Sequence, residues 1–283
     1  MAKTALITGA SSGFGLLTSV TLAKRGWRVL ATMRDLGRRE KLEFAAREAG
    51  ALERIEVHPL DVTKADQITV IADLIDERRE PLHALVNNAG FAVPGFAEEV
   101  SDAELRDQFE VNFFGAAALT RAILPQMRRQ GFGHVVMVSS ISGRTGFPGV
   151  SSYVASKFAL EGWTETLRLE MAALGIKVAI VEPGSFETDI WTRNAKLTAK
   201  MSDPKSPNAI RLARWQSRID ESAKSRANPR EVANLIARVL EMPNPKLRYV
   251  IGKDARIALL MRRVLPASVF ERIIVKLSNV DQP

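Results

Sequence analysis

Short apolar segments alternate with longer helical patterns through most of this chain. Seven segments are nearly continuously apolar, as strands buried on both faces of a parallel sheet are. The predicted strands cover residues 5–8, 28–32, 54–59, 84–87, 134–139, 177–182 and 248–251, and the predicted helices cover residues 13–25, 36–49, 64–79, 102–129 and 151–174. This alternation predicts an α/β fold with a doubly wound parallel sheet and right-handed crossovers.

The pattern changes after the sixth predicted strand. Residues 189–229 are polar and basic, include Pro204 and Pro207, and contain an amphipathic stretch around residues 210–219. A long insertion here lies at the carboxyl ends of the strands, where α/β folds bind ligands. We therefore expect a single domain over residues 1–283, in which residues 189–229 form a lid over the substrate. A plain surface insertion is the alternative.

The first predicted strand runs directly into a glycine-rich turn, Gly9-Ala10-Ser11-Ser12-Gly13-Phe14-Gly15. Glycines let the backbone turn tightly and approach a pyrophosphate, which then lies at the positive end of the following helix. The Gly-x-x-x-Gly-x-Gly spacing differs from the Gly-x-Gly-x-x-Gly of the common dinucleotide fingerprint. Because turns also use glycine for steric reasons, this motif needs support from the rest of the chain.

The composition excludes several kinds of site. The chain has no cysteine, which excludes disulfides, thiolate metal sites and a cysteine nucleophile. Its three histidines, His58, His83 and His134, have no metal-ligand spacing, so we expect no metal site. No apolar run approaches the ~18 residues that a membrane span needs. The chain enters a strand at once without a signal peptide, and we expect a cytoplasmic protein.

The net charge of +8 is concentrated toward the C-terminal end. Residues 1–189 carry 21 Lys and Arg against 24 Asp and Glu, whereas residues 190–283 carry 19 against eight. Residues 253–283 form a basic amphipathic C-terminal extension. This extension could rest peripherally on an anionic membrane, or it could pack on the body and cover a pocket. No motif accompanies the positive charge, so we expect no nucleic-acid partner.

The second strong motif is Tyr153-Val-Ala-Ser-Lys157. Residues four apart lie on one face of a helix, so the phenol and the ammonium can share a site. A nearby positive charge lowers the pKa of a tyrosine from its ordinary ~10. The pair could then exchange a proton with an alcohol or carbonyl group. Ser140 just after the fifth strand, and Asn112 within a predicted helix, are candidate partners.

Several motifs occur together in a fixed order: Thr8-Gly9-x-x-x-Gly13-x-Gly15, Asn87-Asn88-Ala89-Gly90, Ser140, Tyr153-x-x-x-Lys157 and Pro183-Gly184. In this order they resemble the short-chain dehydrogenase/reductase family over nearly all of residues 3–190, which implies a Rossmann-like sheet of about seven strands. Ser156-Lys157-Phe158-Ala159-Leu160-Glu161-Gly162, Ala31-Thr32-Met33-Arg34 and the C-terminal helical extension are most similar to the hydroxysteroid and retinol dehydrogenase branch.

The resemblance implies a role for each matching residue. Tyr153 would transfer the proton, and Lys157 would lower its pKa and bind the nicotinamide ribose. Ser140 would hold the substrate oxygen, and Asn112 would support a water that relays protons to Lys157. The implied cofactor-binding residues are Gly9, Ser11, Ser12, Gly13, Phe14, Gly15, Arg34, Asp61, Val62, Asn88, Ala89, Gly90, Tyr153, Lys157, Pro183, Gly184 and Thr188.

The end of the second strand bears on which nicotinamide binds. Met33 stands where an acidic residue would bond the ribose 2′-OH of NAD. Arg34 follows, and its guanidinium could grip the 2′-phosphate of NADP, so NADP(H) is favoured. Asp35 could accept a ribose hydroxyl, and Ser12 stands where some NADP users carry a basic residue. NAD(H) therefore stays open.

The scaffold does not define the substrate. Six apolar residues near the expected pocket suit a bulky hydrophobic alcohol or ketone, although some could simply pack the core: Phe91, Val93, Phe147, Phe186, Ile190 and Trp191. We expect an NADP(H)-dependent oxidoreductase for a steroid- or retinoid-like alcohol and its ketone or aldehyde. The alternatives are a 3-oxoacyl-thioester reductase and a non-catalytic NADP-binding regulatory protein. Residues 102–129 and 151–174 match the family's usual dimer faces, which implies a homodimer or homotetramer.

Overall fold

A computed structural model describes residues 2–78, 80–203, 205–223 and 226–278. Its strands are β1 (Thr4–Ile7), β2 (Arg28–Met33), β3 (Ile55–Pro59), β4 (Ala84–Asn87), β5 (Gly133–Val138), β6 (Ile176–Pro183) and β7 (Arg248–Ile251). They form one seven-stranded sheet in the order β3-β2-β1-β4-β5-β6-β7, and every neighbouring pair is parallel. The order reverses between β1 and β4, which places a crevice at their carboxyl ends.

Helices cover both faces of the sheet. They are α1 (Gly13–Lys24), α2 (Glu40–Glu48), α3 (Ala65–Glu77), α4 (Asp102–Phe109), α5 (Ala116–Gln130), α6 (Ser151–Met171), α7 (Ala209–Ala223), α8 (Arg230–Glu241), α9 (Lys253–Val264) and α10 (Ala267–Ser278). One apolar core joins α1, α2 and α8 to the sheet, and a second joins α3, α5 and α6 to its other face. The predicted α/β architecture, a Rossmann-like doubly wound sheet in a single domain with a C-terminal helical extension, is confirmed.

The predicted helix over residues 102–129 is interrupted. A π-helical turn, Glu110–Gly115, separates α4 from α5. Asn112 in this turn bonds the backbone of Phe91, and a Cβ on Gly115 would lie 2.7 Å from Val62 Cγ2. The chain therefore leaves regular helical geometry where it must approach both neighbours, as π-bulges near functional sites often do.

The segment after β6 contains more structure than a simple loop. It includes the turns Asp189–Trp191 and Ala199–Ser202 and the helix α7. Trp215 of α7 is buried and packs beside Tyr153 and Phe96. Pro204, residues 279–283 of the predicted extension and Arg79 of a predicted helix lie outside the described residues. In the described parts of the chain, no helix is both long and apolar enough to cross a membrane.

Candidate active site

A cavity of about 1190 Å³ opens at the carboxyl ends of the strands. It brings together most of the residues predicted for the site: Gly9, Ser11, Ser12, Gly13, Phe14, Arg34, Asp61, Val62, Asn88, Ala89, Gly90, Ser140, Tyr153, Lys157, Pro183, Gly184 and Thr188. Gly15 and Asn112 do not line the cavity. They lie behind its wall and shape the backbone that does.

The glycine-rich turn is locked to the end of β4. Asn88 Nδ2 donates to Thr8 O at 2.8 Å, and Thr8 Oγ1 accepts from Asn88 N at 3.0 Å. Gly9 has φ +68°, a conformation that favours glycine, and a Cβ on Gly15 would overlap Gly9 O and Asn88 Nδ2. These contacts explain the motif spacing, since a side chain at either glycine would push α1 off the turn.

The N-terminus of α1 fits an anion. Its N-cap residue Ser12 makes no side-chain capping bond to the helix. The first N–H groups of α1 can therefore donate to another acceptor, and they lie next to the cavity that Gly13 and Phe14 line. A pyrophosphate satisfies this arrangement because it accepts from N–H groups and carries the charge that a helix N-terminus favours.

The end of β2 presents basic groups to the cavity. Arg34 is exposed, lines the cavity and makes no ion pair among the residues described. Asp35 is committed elsewhere, since its Oδ1 accepts from Gly37 N at 2.9 Å and its Oδ2 lies 3.5 Å from Arg38 Nε. Arg38, which the sequence interpretation missed, also lines the cavity. Its position four residues after Arg34 was the available signal.

Tyr153, Lys157 and Ser140 meet at the floor of the cavity. Tyr153 and Lys157 are only 6% and 5% exposed on α6. The Ser140 hydroxyl is hydrogen-bonded to the Tyr153 phenol, and Ser140 Oγ also accepts from Ser142 N at 3.1 Å. Lys157 Nζ donates to Val138 O at 2.9 Å and lies 5.8 Å from the centre of the Tyr153 ring.

Burial controls the titration of this pair. It raises the pKa of Tyr153 to about 12, although the hydrogen bond from Ser140 opposes the shift. It lowers the pKa of Lys157 to about 8, opposed by the negative charge of Glu161. The expectation of a lowered tyrosine pKa is therefore wrong, because the loss of solvation outweighs the hydrogen bond from Ser140.

Asn112 connects three elements behind the cavity. Its Oδ1 accepts from Phe91 N at 3.1 Å, and its Nδ2 donates to Phe91 O at 3.1 Å and to Ser156 Oγ at 3.2 Å. Gln108, which the sequence interpretation missed, bonds the same loop through Val93 N and Phe91 O, each at 2.8 Å. The Asn112 side chain is thus engaged by protein groups and does not contact Lys157 directly.

Two buried carboxyl groups, those of Glu161 on α6 and Glu182 on β6, lie near each other close to Lys157. Glu182 on β6 is fully buried, and its Oε1 lies 3.1 Å from Arg144 Nη1 and 3.2 Å from Arg248 Nε. Arg248 Nε also binds Glu161 Oε2 at 2.9 Å, one helical turn after Lys157. Burial, together with Glu161, raises the pKa of Glu182 to about 7. A single acidic residue inside an apolar strand was the signal for this cluster in the sequence.

Aromatic side chains form the other end of the cavity. The Tyr153 ring centre lies 5.4 Å from that of Trp191, which lies 6.2 Å from that of Trp215 on α7. Of the six apolar residues predicted near the pocket, five line it, and Val93 is instead buried in the core. Residues from α7, α9 and α10 complete this end.

Comparison with known proteins assigns the family. The sequence profile described as short chain dehydrogenase matches residues 3–198. "Uncharacterized oxidoreductase YusZ" of Bacillus subtilis is 41% identical over 97% of this chain and 98% of that protein. Human "Retinol dehydrogenase 8" is 37% identical over 87% of this chain and 80% of that protein.

A solved structure agrees with these relatives. A short-chain dehydrogenase from Streptomyces avermitilis is 36% identical, with both chains fully covered and a TM-score of 0.81. The shared sheet and the shared sequence extend over the whole molecule, including the C-terminal extension. The chain therefore belongs to the short-chain dehydrogenase family and is an oxidoreductase that uses a nicotinamide dinucleotide.

Proposed function

We propose that this oxidoreductase interconverts a hydrophobic alcohol and its ketone or aldehyde with NADP(H). The observation that carries the proposal is the hydrogen-bonded Ser140–Tyr153 pair at the floor of a cavity with aromatic walls. One end of this cavity carries the phosphate-compatible turn at Gly9 and the other carries Trp191 and Trp215. A reacting carbon between the two ends would lie against the phenol.

Each catalytic residue has a distinct task. Bound NADP(H) supplies or accepts the hydride. In the reducing direction, Ser140 donates a hydrogen bond to the carbonyl oxygen while Tyr153 gives it a proton, which the phenol carries at neutral pH because burial raises its pKa to about 12. Lys157 supplies positive charge beside the phenolate that remains. Asn112 acts as a positioning residue, because its bonds hold the loop at Phe91 beside α6.

The remaining predicted residues would hold the dinucleotide. The turn and the start of α1 would bind the pyrophosphate through N–H groups, without a cationic side chain. The proposed cofactor-binding set is the one expected from the sequence, with Gly15 acting through the shape of the turn and not by direct contact: Gly9, Ser11, Ser12, Gly13, Phe14, Gly15, Arg34, Asp61, Val62, Asn88, Ala89, Gly90, Tyr153, Lys157, Pro183, Gly184 and Thr188.

NADP(H) is proposed over NAD(H) from the charges at the end of β2. Arg34 and Arg38 both border the cavity and can contact a 2′-phosphate. Asp35, the residue that could favour NAD by bonding the ribose, is held by Gly37 N and by Arg38. These two partners fix the orientation of the carboxylate and offset part of its negative charge.

A steroid- or retinoid-like substrate is proposed because the walls around Tyr153 are aromatic and aliphatic. Similarity to a retinol dehydrogenase supports the same class. A 3-oxoacyl thioester remains a second candidate, because Arg193, Lys196 and Arg218 also border the cavity and could meet an anionic carrier.

The test is a substrate panel with matched NADPH and NADH. It contains a retinal, a steroid ketone, an aliphatic ketone and a 3-oxoacyl thioester, and oxidation of the reduced cofactor is followed by absorbance. Turnover of the apolar carbonyls with a preference for NADPH supports the proposal. Turnover of the thioester alone supports the second candidate, and binding of NADPH without any turnover favours a regulatory protein.

A homo-oligomer is also proposed. Phe114, Phe158 and Leu169 lie on the predicted dimer faces and are 50%, 42% and 74% exposed. Exposed apolar residues of this size suit a subunit interface. Light scattering would report a dimer or tetramer, and a monomer at micromolar concentration would contradict the proposal. A cytoplasmic location and peripheral membrane contact stay predictions.

A further inference from the structure

We propose that the C-terminal helix pair α9–α10 is a wall of the substrate site, fastened by Asp254, and that it selects carbonyls with an extended apolar chain. This inference rests on the proposed function and adds the shape of the substrate. It also chooses between the two roles that the sequence allowed for the basic extension, which were contact with a membrane and coverage of a pocket. In this proposal the apolar face of the extension covers the pocket and contacts the substrate.

One face of α9 borders the cavity. Ile257, Ala258 and Met261 line it, and their spacing places them on one side of the helix. From α10, Ile274 and Leu277 line the same cavity. All five side chains are apolar, and they share one continuous space with Ser140 and Tyr153. An apolar chain attached to a carbonyl at Tyr153 can therefore reach this wall without leaving the cavity.

Asp254 fastens α9 to the loop that follows β6. Its Oδ2 accepts from Ser185 N at 2.7 Å. A Cβ on Gly184 would overlap the Asp254 carboxylate, so glycine is required for this close approach. Gly184 N donates to Ile251 O at 2.8 Å and completes the junction. The helix pair is thus tied to the same Pro183–Gly184 loop that is proposed to hold the nicotinamide.

The wall has apolar surface left to cover. Ile257 is 48% exposed and Leu277 is 51% exposed, although both border the cavity. In α9 and α10 only Ala255 and Phe270 are buried. A substrate chain laid along this wall removes apolar area on both sides from water. Each methylene that it buries is worth up to about fourfold in kcat/KM.

The size of the cavity leaves room for such a chain. Its volume of about 1190 Å³ exceeds the ~300–1000 Å³ of an ordinary single-ligand site. A dinucleotide occupies the end at Gly9 and Arg34, and the end bordered by Trp215 and Met261 remains for a second ligand. The continuous apolar lining from Tyr153 to α10 therefore favours a long apolar ligand over a compact one.

The wall is tested with a series of methyl ketones of increasing chain length, reduced with NADPH. In the wild type, kcat/KM should rise with each added methylene until the chain passes the wall. Ile257→Ser together with Leu277→Ser should flatten this rise, with a loss of kcat/KM that grows with chain length and is smallest for the shortest ketone. The matched control is Leu260→Ser, which alters an α9 residue that is 60% exposed and does not line the cavity.

The outcomes separate this inference from the proposed function. An equal loss of kcat/KM at every chain length, or the same flattening in the Leu260→Ser control, would contradict the proposal that α9–α10 is a wall of the substrate site. If the wild type reduces short ketones but gains nothing from added methylenes, the wall is also wrong while the proposed function stands. If no ketone of any length is reduced, the proposed function itself fails.

The fastening is tested by Asp254→Ala and Asp254→Asn. Asparagine keeps an oxygen that can accept from Ser185 N, whereas alanine removes it. The alanine variant should raise KM for long ketones with little change in kcat for short ones, and asparagine should restore most of the selectivity. Hydrogen exchange should show faster opening of α9 in the alanine variant alone. Chain-length selectivity that survives in both variants would contradict the role of Asp254.

Discussion

Helix α6 and the helix pair α9–α10 border the same cavity, yet the rest of the protein holds them very differently. Tyr153, Ser156 and Lys157 of α6 are all buried, and hydrogen bonds fix each of them. In the C-terminal pair, apolar residues such as Leu260 and Val264 stay more than half exposed. Proton transfer requires a fixed geometry, whereas selection of an apolar chain tolerates a wall that adjusts. We therefore expect changes on α6 to affect the rate of the chemistry and changes on α9–α10 to affect substrate choice.

The largest expected effect comes from the phenol on α6. Tyr153→Phe removes the proton donor but keeps the ring beside Trp191, so kcat should fall about 10²- to 10⁴-fold. NADPH binding, measured by fluorescence titration, should fall far less than kcat, because the ring stays in place. Ser140→Ala should lower kcat less, because water can replace part of its hydrogen bond. A Tyr153→Phe enzyme of ordinary activity would place the chemistry elsewhere.

The next effect lies at the opposite end of the cavity. Arg34→Ala should weaken NADPH binding about 10- to 100-fold, since it removes charge-assisted bonds to a phosphate. NADH binding should hardly change, because NADH lacks that phosphate. Arg39→Ala is the matched control, since Arg39 pairs with Glu43 at 3.4 Å and does not line the cavity. An equal loss of both cofactors in Arg34→Ala would contradict a role in recognising the 2′-phosphate.

A smaller effect should follow from the carboxyl pair behind Lys157. The pKa of Glu182 is raised from 4.5 to about 7, so the folded protein holds a proton there that the unfolded chain has released. The stability of the wild type should therefore fall as pH rises from about 4.5 to 7 and change no further above that range through this group. In Glu182→Gln this contribution is absent, so stability relative to the wild type should increase across the same window.

Thermal unfolding between pH 4.5 and 8 measures this difference. Glu165→Gln is the control, because Glu165 binds the same Arg248 but is exposed. The hydrogen bond to Arg248 lowers the pKa of Glu165, so this carboxyl does not cause the loss of stability above pH 4.5. The Glu165→Gln variant should therefore lose stability over this range as the wild type does. Parallel curves for the wild type and Glu182→Gln would contradict a proton on this carboxyl.

The smallest effect compares two leucines in the contrasted regions. Leu160 on α6 is 2% exposed, whereas Leu260 on α9 is 60% exposed. Leu160→Ala should lower the free energy of unfolding by about 2–5 kcal/mol, because it leaves a cavity in the core. Leu260→Ala should change it by no more than about 0.5 kcal/mol. Urea unfolding measures both, and equal losses would show that α9 is packed as tightly as α6.

The strands were predictable from the sequence because parallel strands buried on both faces are nearly continuously apolar. The turn at Gly9 and the pair Tyr153 and Lys157 were found because their spacing is local. The interruption of the helix at Glu110–Gly115 was not predicted, since it depends on hydrogen bonds from Asn112 to Phe91, which is distant in the sequence. Helix periodicity does not report such long-range contacts.

The cluster around Glu182 and the tie at Asp254 were also missed. In each case the partners are far apart in the chain: Arg248 meets Glu161 across 87 residues, and Asp254 meets Ser185 across 69. The raised pKa of Tyr153 was missed for a related reason. A motif identifies the charge beside a phenol, but only the folded structure gives the loss of solvation that opposes it.

The most direct test is a reduction with NADPH that carries deuterium at the transferable position of its nicotinamide. The wild type is incubated with an apolar methyl ketone, and the product alcohol is analysed by mass spectrometry. We expect the wild type to form alcohol with deuterium on the carbinol carbon, and Tyr153→Phe to form almost no alcohol in the same time. Product without deuterium, or an equal amount of labelled alcohol from Tyr153→Phe, would contradict hydride transfer assisted by this tyrosine.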